Sequence, residues 1–396
     1  MAYVRQNRPS MTQADVNTAL GICGKGSSLP SKYGSAVERL VIEGYEVSCG
    51  FFPARYPSFD PGGNERHSVL LATTAFSCNY RDKALILRMA NMPLESSFYP
   101  IGSELSGTVV EVGTAVDNLK VGDRVMIDGY YASGEQPWGI PTNHASRRFQ
   151  VIRGSKLKRV PETMTDLEAA SFSIGGQTSF SMVRRAGVVD GTQVLVTGGS
   201  SNTSLFLTMA ARYAGGRVSV TTTTAGKADM LLSLGADRVF VVDPQGDGLH
   251  KDEFIREYVK DTGGFDVVLD PFADLYLAQS IHVMAVGGRY ISCGVERQFP
   301  PADREVTMPS ERPLLDEMGF LTVMTRNLQI IGNCIGTTED LDNALAAWEN
   351  GQLPVSIDSV FGPGNTNAAS PGGAADFLSR TYLERDRIGK VVYRYP

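Results

Sequence analysis

The stretch "VLVTGGSSNTSLFLTMAARYAGGRVSVTTTT", residues 194–224, constrains the fold more than any other part of the chain. An apolar run ends in Thr197, Gly198 and Gly199; a polar loop then enters a helix-like stretch, and a second β-branched run follows at 218–220. A strand, a helix and a second strand in that order demand a crossover connection, and therefore a parallel sheet. The rhythm continues downstream. Strands are expected at 194–197, 218–221, 238–242, 267–270 and 288–292, and helices at 204–213, 227–234, 254–260 and 276–283. The expected class is α/β, a doubly wound parallel sheet.

The loop itself reads as a phosphate site. A strand running into a small polar loop and a helix gathers free backbone N–H groups and the positive helix end at one spot. Gly198 supplies the tight turn, and Gly199, Ser200, Ser201, Asn202, Thr203 and Ser204 complete the candidate cradle. In the usual G-x-G-x-x-G pattern a third glycine brings the helix close to the strand. Ser204 stands there instead, and is expected to push the helix slightly outward, while serine hydroxyls add donors for a phosphate. The end of the second strand chooses the cofactor. A carboxylate there would hold a ribose 2′-hydroxyl; Thr222 and Thr223 stand in a run of four threonines, followed by Lys227. With no carboxylate to repel a 2′-phosphate and an ammonium close by, the expected cofactor is NADPH.

The remainder of the chain fits around that unit. At 396 residues two domains are expected. Before residue 166 the pattern is β-rich, with strands at 68–76, 109–112 and 124–127 and a helix at 34–43. Thr165 or Asp166 caps a helix that carries Glu168 in its first turn. A strand at 327–333, an amphipathic helix over "TEDLDNALAAWENGQL" and a last strand in "RIGKVVYRYP" close the chain. The net charge of −6 offers no global attraction for nucleic acid or an anionic membrane. No apolar run reaches membrane-spanning length and no secretory signal pattern opens the chain, so a cytoplasmic location is expected. The cysteines Cys23, Cys49, Cys78, Cys293 and Cys334 are scattered with no C-x-x-C pair, and all five are read as buried small apolar side chains.

From about Ser68 onward the chain resembles the medium-chain dehydrogenase/reductase superfamily. The resemblance rests on an ordered series: "SVLLATTAFSCNYRDKALIL", "YPIGSELSGTVVEVGTAVDNLKVGDRV", "GGQTSFSMVRRAGVVDGTQVLVTG", "LLSLGADRVFVVD", "GFDVVLDPFADLYLAQSIHVMAVGGRYISCGV" and "NLQIIGNCIGTTEDLDNAL". Residues 1–67 match nothing in it. It implies a GroES-like catalytic domain over 1–165, a Rossmann domain over 166–336, a return to the catalytic domain over 337–396, and an active site in the cleft between them. The N-terminal extension, the 130–144 stretch and the loop after Gly294 would shape that cleft. Alcohol dehydrogenases of the group hold catalytic zinc through a Cys, a His and a later Cys; those places here carry Asn79, Ser103 and the Cys-free "GGQTS". No metal is expected.

The branch so resembled is that of zinc-free quinone and enoyl reductases. Hydride delivery to a double bond conjugated with a carbonyl places charge on an enolate, which a few donors stabilise without a Lewis acid. The resemblance makes Asn79, Tyr80 and Arg81 the catalytic candidates, with Tyr80 as proton donor and Tyr130 and Tyr131 as further donors. Thr178 falls near the nicotinamide-side phosphate, and Gly294 and Val295 pass the nicotinamide by backbone. Substrates in view are an α,β-unsaturated carbonyl, a quinone or an enoyl thioester. Two alternatives stand beside this: a zinc-free carbonyl reductase or alcohol dehydrogenase, and a non-catalytic NADPH-binding protein on the same scaffold. Because "NLQIIGN" resembles the edge strand through which family members join their sheets, a homodimer is expected.

Overall fold

The computed structural model describes residues 17–93, 97–131, 140–243, 248–295, 314–363, 373–384 and 386–396. The loop after Val295 and most of the 130–144 stretch, both expected in the cleft, lie outside the described residues, as do residues 1–16.

The first segment departs from expectation. Residues 34–43 are not a helix: a short helix α1 (Leu29–Tyr33) and a 3₁₀ turn precede β2 (Glu38–Ile42), which pairs antiparallel with β3 (Tyr45–Pro53). Ile42 faces Tyr45 across a two-residue turn, Glu43–Gly44, whose φ values are both positive, the geometry that matches strand twist in a hairpin. Together with β1 (Thr18–Cys23) and the later β5 these strands form a four-stranded sheet, so the described part of the unmatched extension, from residue 17, belongs to the β-rich unit.

The chain continues through β4 (Ser68–Ser77), α2 (Tyr80–Asn91), β5 (Phe98–Pro100), β6 (Glu104–Val112), β7 (Arg124–Ile127), β8 (Phe149–Arg153) and β9 (Leu157–Arg159). The helix α3 (Asp166–Ala186) then leads out of this unit. It starts at a reciprocal cap: Thr165 accepts from the Glu168 amide, and the Glu168 carboxylate accepts from the Thr165 amide. Its N-terminal half is fastened to the β-rich sheet, where Ser77 and Ser106 donate to its Ala170 and Asp166 carbonyls at 2.7 and 2.8 Å. Its C-terminal half belongs to the next core.

That core is the parallel sheet. The elements are β10 (Gln193–Val196), α4 (Asn202–Tyr213), β11 (Arg217–Thr222), α5 (Ala228–Ser233), β12 (Arg238–Val241), α6 (Glu253–Thr262), β13 (Phe265–Asp270), α7 (Ala273–Ser280), β14 (Met284–Ser292), α8 (Glu317–Thr325) and β15 (Gln329–Gly332). All neighbours are parallel, in the order β12-β11-β10-β13-β14-β15. The order reverses direction beside β10, and a crevice opens outside the carboxyl ends there. Boundaries shift modestly: α4 begins two residues before its expected start, α7 three, and β14 is four residues longer because a bulge carries it past Gly287 and Gly288.

After α9 (Thr338–Glu349) the chain returns to the first unit with β16 (Ile357–Phe361), α10 (Ala374–Tyr382) and β17 (Lys390–Arg394). The seven-stranded sheet there runs β16-β17-β4-β6-β7-β9, with β8 also on β4. Among the described residues no helix is long and apolar enough to cross a membrane. Cys23, Cys49 and Cys78 are buried as read from sequence; Cys334 is exposed because it follows the edge strand β15.

Candidate active site

The Gly198–Ser204 loop joins β10 to α4 at the carboxyl edge of the parallel sheet. Gly198 has φ +57°, a left-handed conformation that side chains resist, and its amide donates to Thr221 Oγ1. Gly199 lies so close to β11 that a Cβ would stand 2.2 Å from Val220 Cγ1; its amide donates to the Thr221 carbonyl at 2.8 Å. Ser201 caps α4 by accepting from the Ser204 amide. Ser204 does not push the helix away. Its hydroxyl donates 2.7 Å to the Thr197 carbonyl and ties α4 to the end of β10. The hydroxyls of Ser201 and Ser204 are thus used inside the protein rather than offered to a phosphate.

What remains for an anion is the first turn of α4, where the Asn202 and Thr203 amides have no intrahelical acceptor. Ser200 stands beside them, half-buried. The carboxamide of Asn202 is buried at both its oxygen and its nitrogen and pairs with nothing among the described residues. Buried polar atoms left without a partner are rare, and this one lies where a diphosphate would complete it. The residues fit a dinucleotide.

Around the loop the sheet ends supply the rest. Asp270 closes β13, accepting from Thr197 Oγ1 at 2.6 Å, from the Phe272 amide at 2.7 Å and from the Tyr290 hydroxyl. Burial holds its carboxyl above the usual range, with those three donors pulling the other way. Gly294 accepts from the Ala273 amide, which brings the segment to Val295 against the start of α7. Thr222 is buried and accepts from the Thr224 amide, whereas Thr223 is exposed. Lys227 stands at the same sheet end, just past the run of threonines. It is 6% exposed and its ammonium donates to the Arg387 carbonyl across the gap between the two units. Burial lowers its pKa, partly offset by Asp386. Arg387, a half-buried cation that sequence reading missed, stands in the same corner. Thr178 is buried within α3 next to Gln177, whose amide nitrogen bridges Asp128 and the Thr337 carbonyl.

The "NYRD" stretch sits across from the loop. Asn79 caps α2 in a reciprocal box with Asp82, Asn79 N to Asp82 Oδ2 measuring 2.7 Å. The Asn79 side chain faces inward. Its nitrogen donates to Ser103 Oγ (3.0 Å) and Glu104 Oε2 (3.2 Å), and its oxygen accepts from Lys390 Nζ at 2.6 Å. Lys390 also donates to Glu104 Oε2 (2.9 Å), Ser77 Oγ and the Cys78 carbonyl, and both charges are at most 2% exposed. Ser103 donates 2.5 Å to Asp82. Burial raises the Asp82 carboxyl, with Arg81 and Ser103 offsetting part.

Asn79 and Ser103, which stand where zinc enzymes place ligands, do converge. They bring an amide and a hydroxyl, and the space between them and Glu104 is held by an ammonium. A divalent cation does not fit such a donor set. Among the described residues no group of three or more His, Cys, Asp or Glu is placed to hold a metal. Asn79 is thus bonded into a polar cluster with Ser103, Glu104 and Lys390.

Tyr80 and Arg81 point elsewhere. The Tyr80 ring meets Phe272 edge-on at 5.7 Å, and Phe272 in turn packs within 3.1–3.2 Å of where a Gly198 Cβ would be. Tyr80 is thereby one ring away from the phosphate loop. Arg81 reaches Asn143 Oδ1 at 2.9 Å, with Asp82 at 3.6 Å, and Asn143 lines a cavity of about 860 Å³ with Tyr56, His144 and Arg147. Tyr131 is instead turned onto the Lys156 ammonium, 4.0 Å from its ring centre.

Two family models match the chain: the alcohol dehydrogenase GroES-like domain over residues 65–154 and the zinc-binding dehydrogenase over 203–350. The chain belongs to the medium-chain dehydrogenase/reductase superfamily. It is an oxidoreductase by that membership, of a family that binds nicotinamide dinucleotides. Among curated proteins it is 30% identical to polyketide synthase GfsB of Streptomyces halstedii over 242 residues, 60% of this chain and 4% of that protein. The chain spans 4 to 13% of the length of the first curated relatives it matches. AibC shares the fold with a TM-score of 0.70 at 24% identity, each chain covered to 96%. The quinone oxidoreductase of Coxiella burnetii shares it with a TM-score of 0.64 at 17% identity, over 96% of this chain and 99% of that one.

Proposed function

We propose that the protein is a metal-independent, NADPH-dependent reductase of an activated carbon–carbon double bond. The observation that carries this reading is the Lys390 ammonium seated between Asn79 and Glu104, where metal-dependent relatives would place their Lewis acid. The dinucleotide, when bound, supplies the hydride. The first-turn amides of α4 and the Asn202 carboxamide hold its diphosphate. Lys227 and Arg387 form the cationic corner at the end of β11, where no carboxylate stands, and this favours the 2′-phosphate of NADPH. Tyr80, beside Phe272 at the mouth of the crevice, gives the proton to the carbon next to the carbonyl, and Arg81 steadies the substrate's oxygen or its carrier. The cavity beyond Asn143 receives the acyl portion. Similarity to segments of polyketide synthases favours an enoyl thioester over a free enone or quinone.

The test is NADPH oxidation with an enoyl thioester, an enone and its saturated ketone. Turnover of the unsaturated compounds with the ketone inert is expected; turnover of the ketone alone, or of none, overturns the reading. Fluorescence titration should show NADPH bound more tightly than NADH, with the preference reduced in Lys227→Ala. Equal affinities in the wild type remove the cofactor assignment. We also propose a homodimer through β15, the edge strand of the parallel sheet. Ile330 on it, and Met318, Phe320 and Met324 on α8, are 46–67% exposed. A monomer by light scattering at micromolar concentration refutes it.

A further inference from the structure

Tyr80 opens α2 and Lys83 follows three residues later, on the same face of the helix. Lys83 is 7% exposed, and its ammonium donates to the Tyr80 phenolic oxygen at 2.6 Å and to the carboxylate of Glu43. Glu43 occupies the first position of the β2–β3 hairpin turn with φ +50°, a conformation that glycine or asparagine adopts more readily than glutamate. Turn preference therefore does not explain the residue; its carboxylate does. Nor does packing explain Lys83, since an apolar side chain of similar length would fill a buried place at lower desolvation cost.

Other described charges lie near Tyr80. Asp82 turns the opposite way, onto Ser103 and the Asn79 amide. Arg387, on the C-terminal return, is near enough for its charge and that of a phenolate to interact. From the parallel-sheet unit the neighbour is the uncharged ring of Phe272. Two cations thus face the phenol, and the Lys83 ammonium touches its oxygen. Burial by itself would lower the Lys83 pKa, but Glu43 and Tyr80 together raise it, so the group stays charged through the neutral range.

We propose that Lys83, anchored by Glu43, is the positioning residue that makes Tyr80 an acid. The inference rests on the reading of Tyr80 as proton donor. By donating to the phenolic oxygen, Lys83 turns the phenol's own hydrogen away from α2. After hydride addition, the enolate's electron pair forms a C–H bond with that hydrogen, and the O–H electrons remain on Tyr80 as phenolate. The phenolate takes a proton from Lys83, and the amine recovers one from water beside Glu43, whose side chain is half exposed. No redox equivalent beyond the hydride is needed.

The test follows Tyr80 itself. With ¹³Cζ-labelled tyrosine, its resonance is assigned by its loss in Tyr80→Phe, then titrated in wild type, Lys83→Met, Lys83→Arg and Glu43→Gln. Tyr80 is expected to ionise at least one pH unit lower in wild type than in Lys83→Met, a tenfold stronger acid. Lys83→Arg should restore most of the difference, and Glu43→Gln should lose part of it. The basic limb of the kcat profile should move in parallel with KM little changed. Identical Tyr80 titrations in wild type and Lys83→Met overturn the inference. If the resonance shifts but the wild type turns over no unsaturated substrate, the reading of function fails while the Lys83–Tyr80 coupling stands. Turnover with an unshifted resonance overturns the coupling alone.

Discussion

Two polar clusters flank the crevice and are built in opposite ways. Around Asn79, Glu104 and Lys390 the side chains satisfy one another: the carboxylate of Glu104 accepts from Lys390, Asn79, Ser173 and the Ile174 amide. At the start of α4, Ser201 donates to Ser204, while the Asn202 carboxamide pairs with nothing among the described residues. The difference teaches how to tell a structural polar core from a binding one. A cluster closed on itself contributes to the fold and has nothing to offer a ligand; an orphaned group beside free helix amides does the reverse.

Variants can break that contrast. The largest expected effect is in the closed cluster. Lys390→Met strands a fully buried carboxylate and should cost about 3–5 kcal/mol in urea unfolding. Adding Glu104→Gln should recover part of the loss, and a single-variant loss below about 1 kcal/mol would mean that the cluster is not closed. At the open end, Asn202→Ala should weaken dinucleotide binding about tenfold, or about 1.4 kcal/mol, by calorimetric titration. Its unfolding free energy should stay within about 0.5 kcal/mol of wild type, since no internal bond is lost. A variant that melts earlier yet binds normally reverses the assignment. The smallest effect concerns pH. Burial raises the Asp82 carboxyl in the folded chain, so the folded state holds that proton more tightly than the unfolded state. Its contribution is complete below about pH 4, the unfolded value, and is lost as pH rises through the folded pKa. Asp82→Asn should gain relative to wild type across that window, and parallel stability curves would refute the sign.

Much of the parallel sheet was legible because period and punctuation agree there. Apolar strands, the Gly198 turn and the Thr165/Glu168 cap are all local signals. Where a local signal was misread, the period was at fault. Residues 38–42 and 45–53 alternate about a two-residue turn, and the run at 34–43 looked helical only because the turn at Glu43–Gly44 was passed over. The reciprocal cap of Asn79 and Asp82 is also present in the letters N-Y-R-D. The rest was not legible by any local rule. Lys390 and Ser77 are 313 residues apart, and Glu43 and Lys83 are joined by a side-chain contact that no spacing announces. The same holds for Lys227 and Arg387, which meet only because two units fold against each other.

The position of β17 sets an order of events during synthesis. It lies inside the seven-stranded sheet, between β16 and β4, although it follows every other described strand in the sequence. Until it emerges from the ribosome, the Ala75–Ser77 end of β4 lacks its neighbour on the flank that β8 covers farther along, and Glu104 lacks its Lys390 counter-ion. The intervening parallel-sheet unit has no such debt and is free to mature first. The nascent chain therefore carries the parallel-sheet unit between the halves of an unfinished one, and β17 is the keystone that closes the seven-stranded sheet.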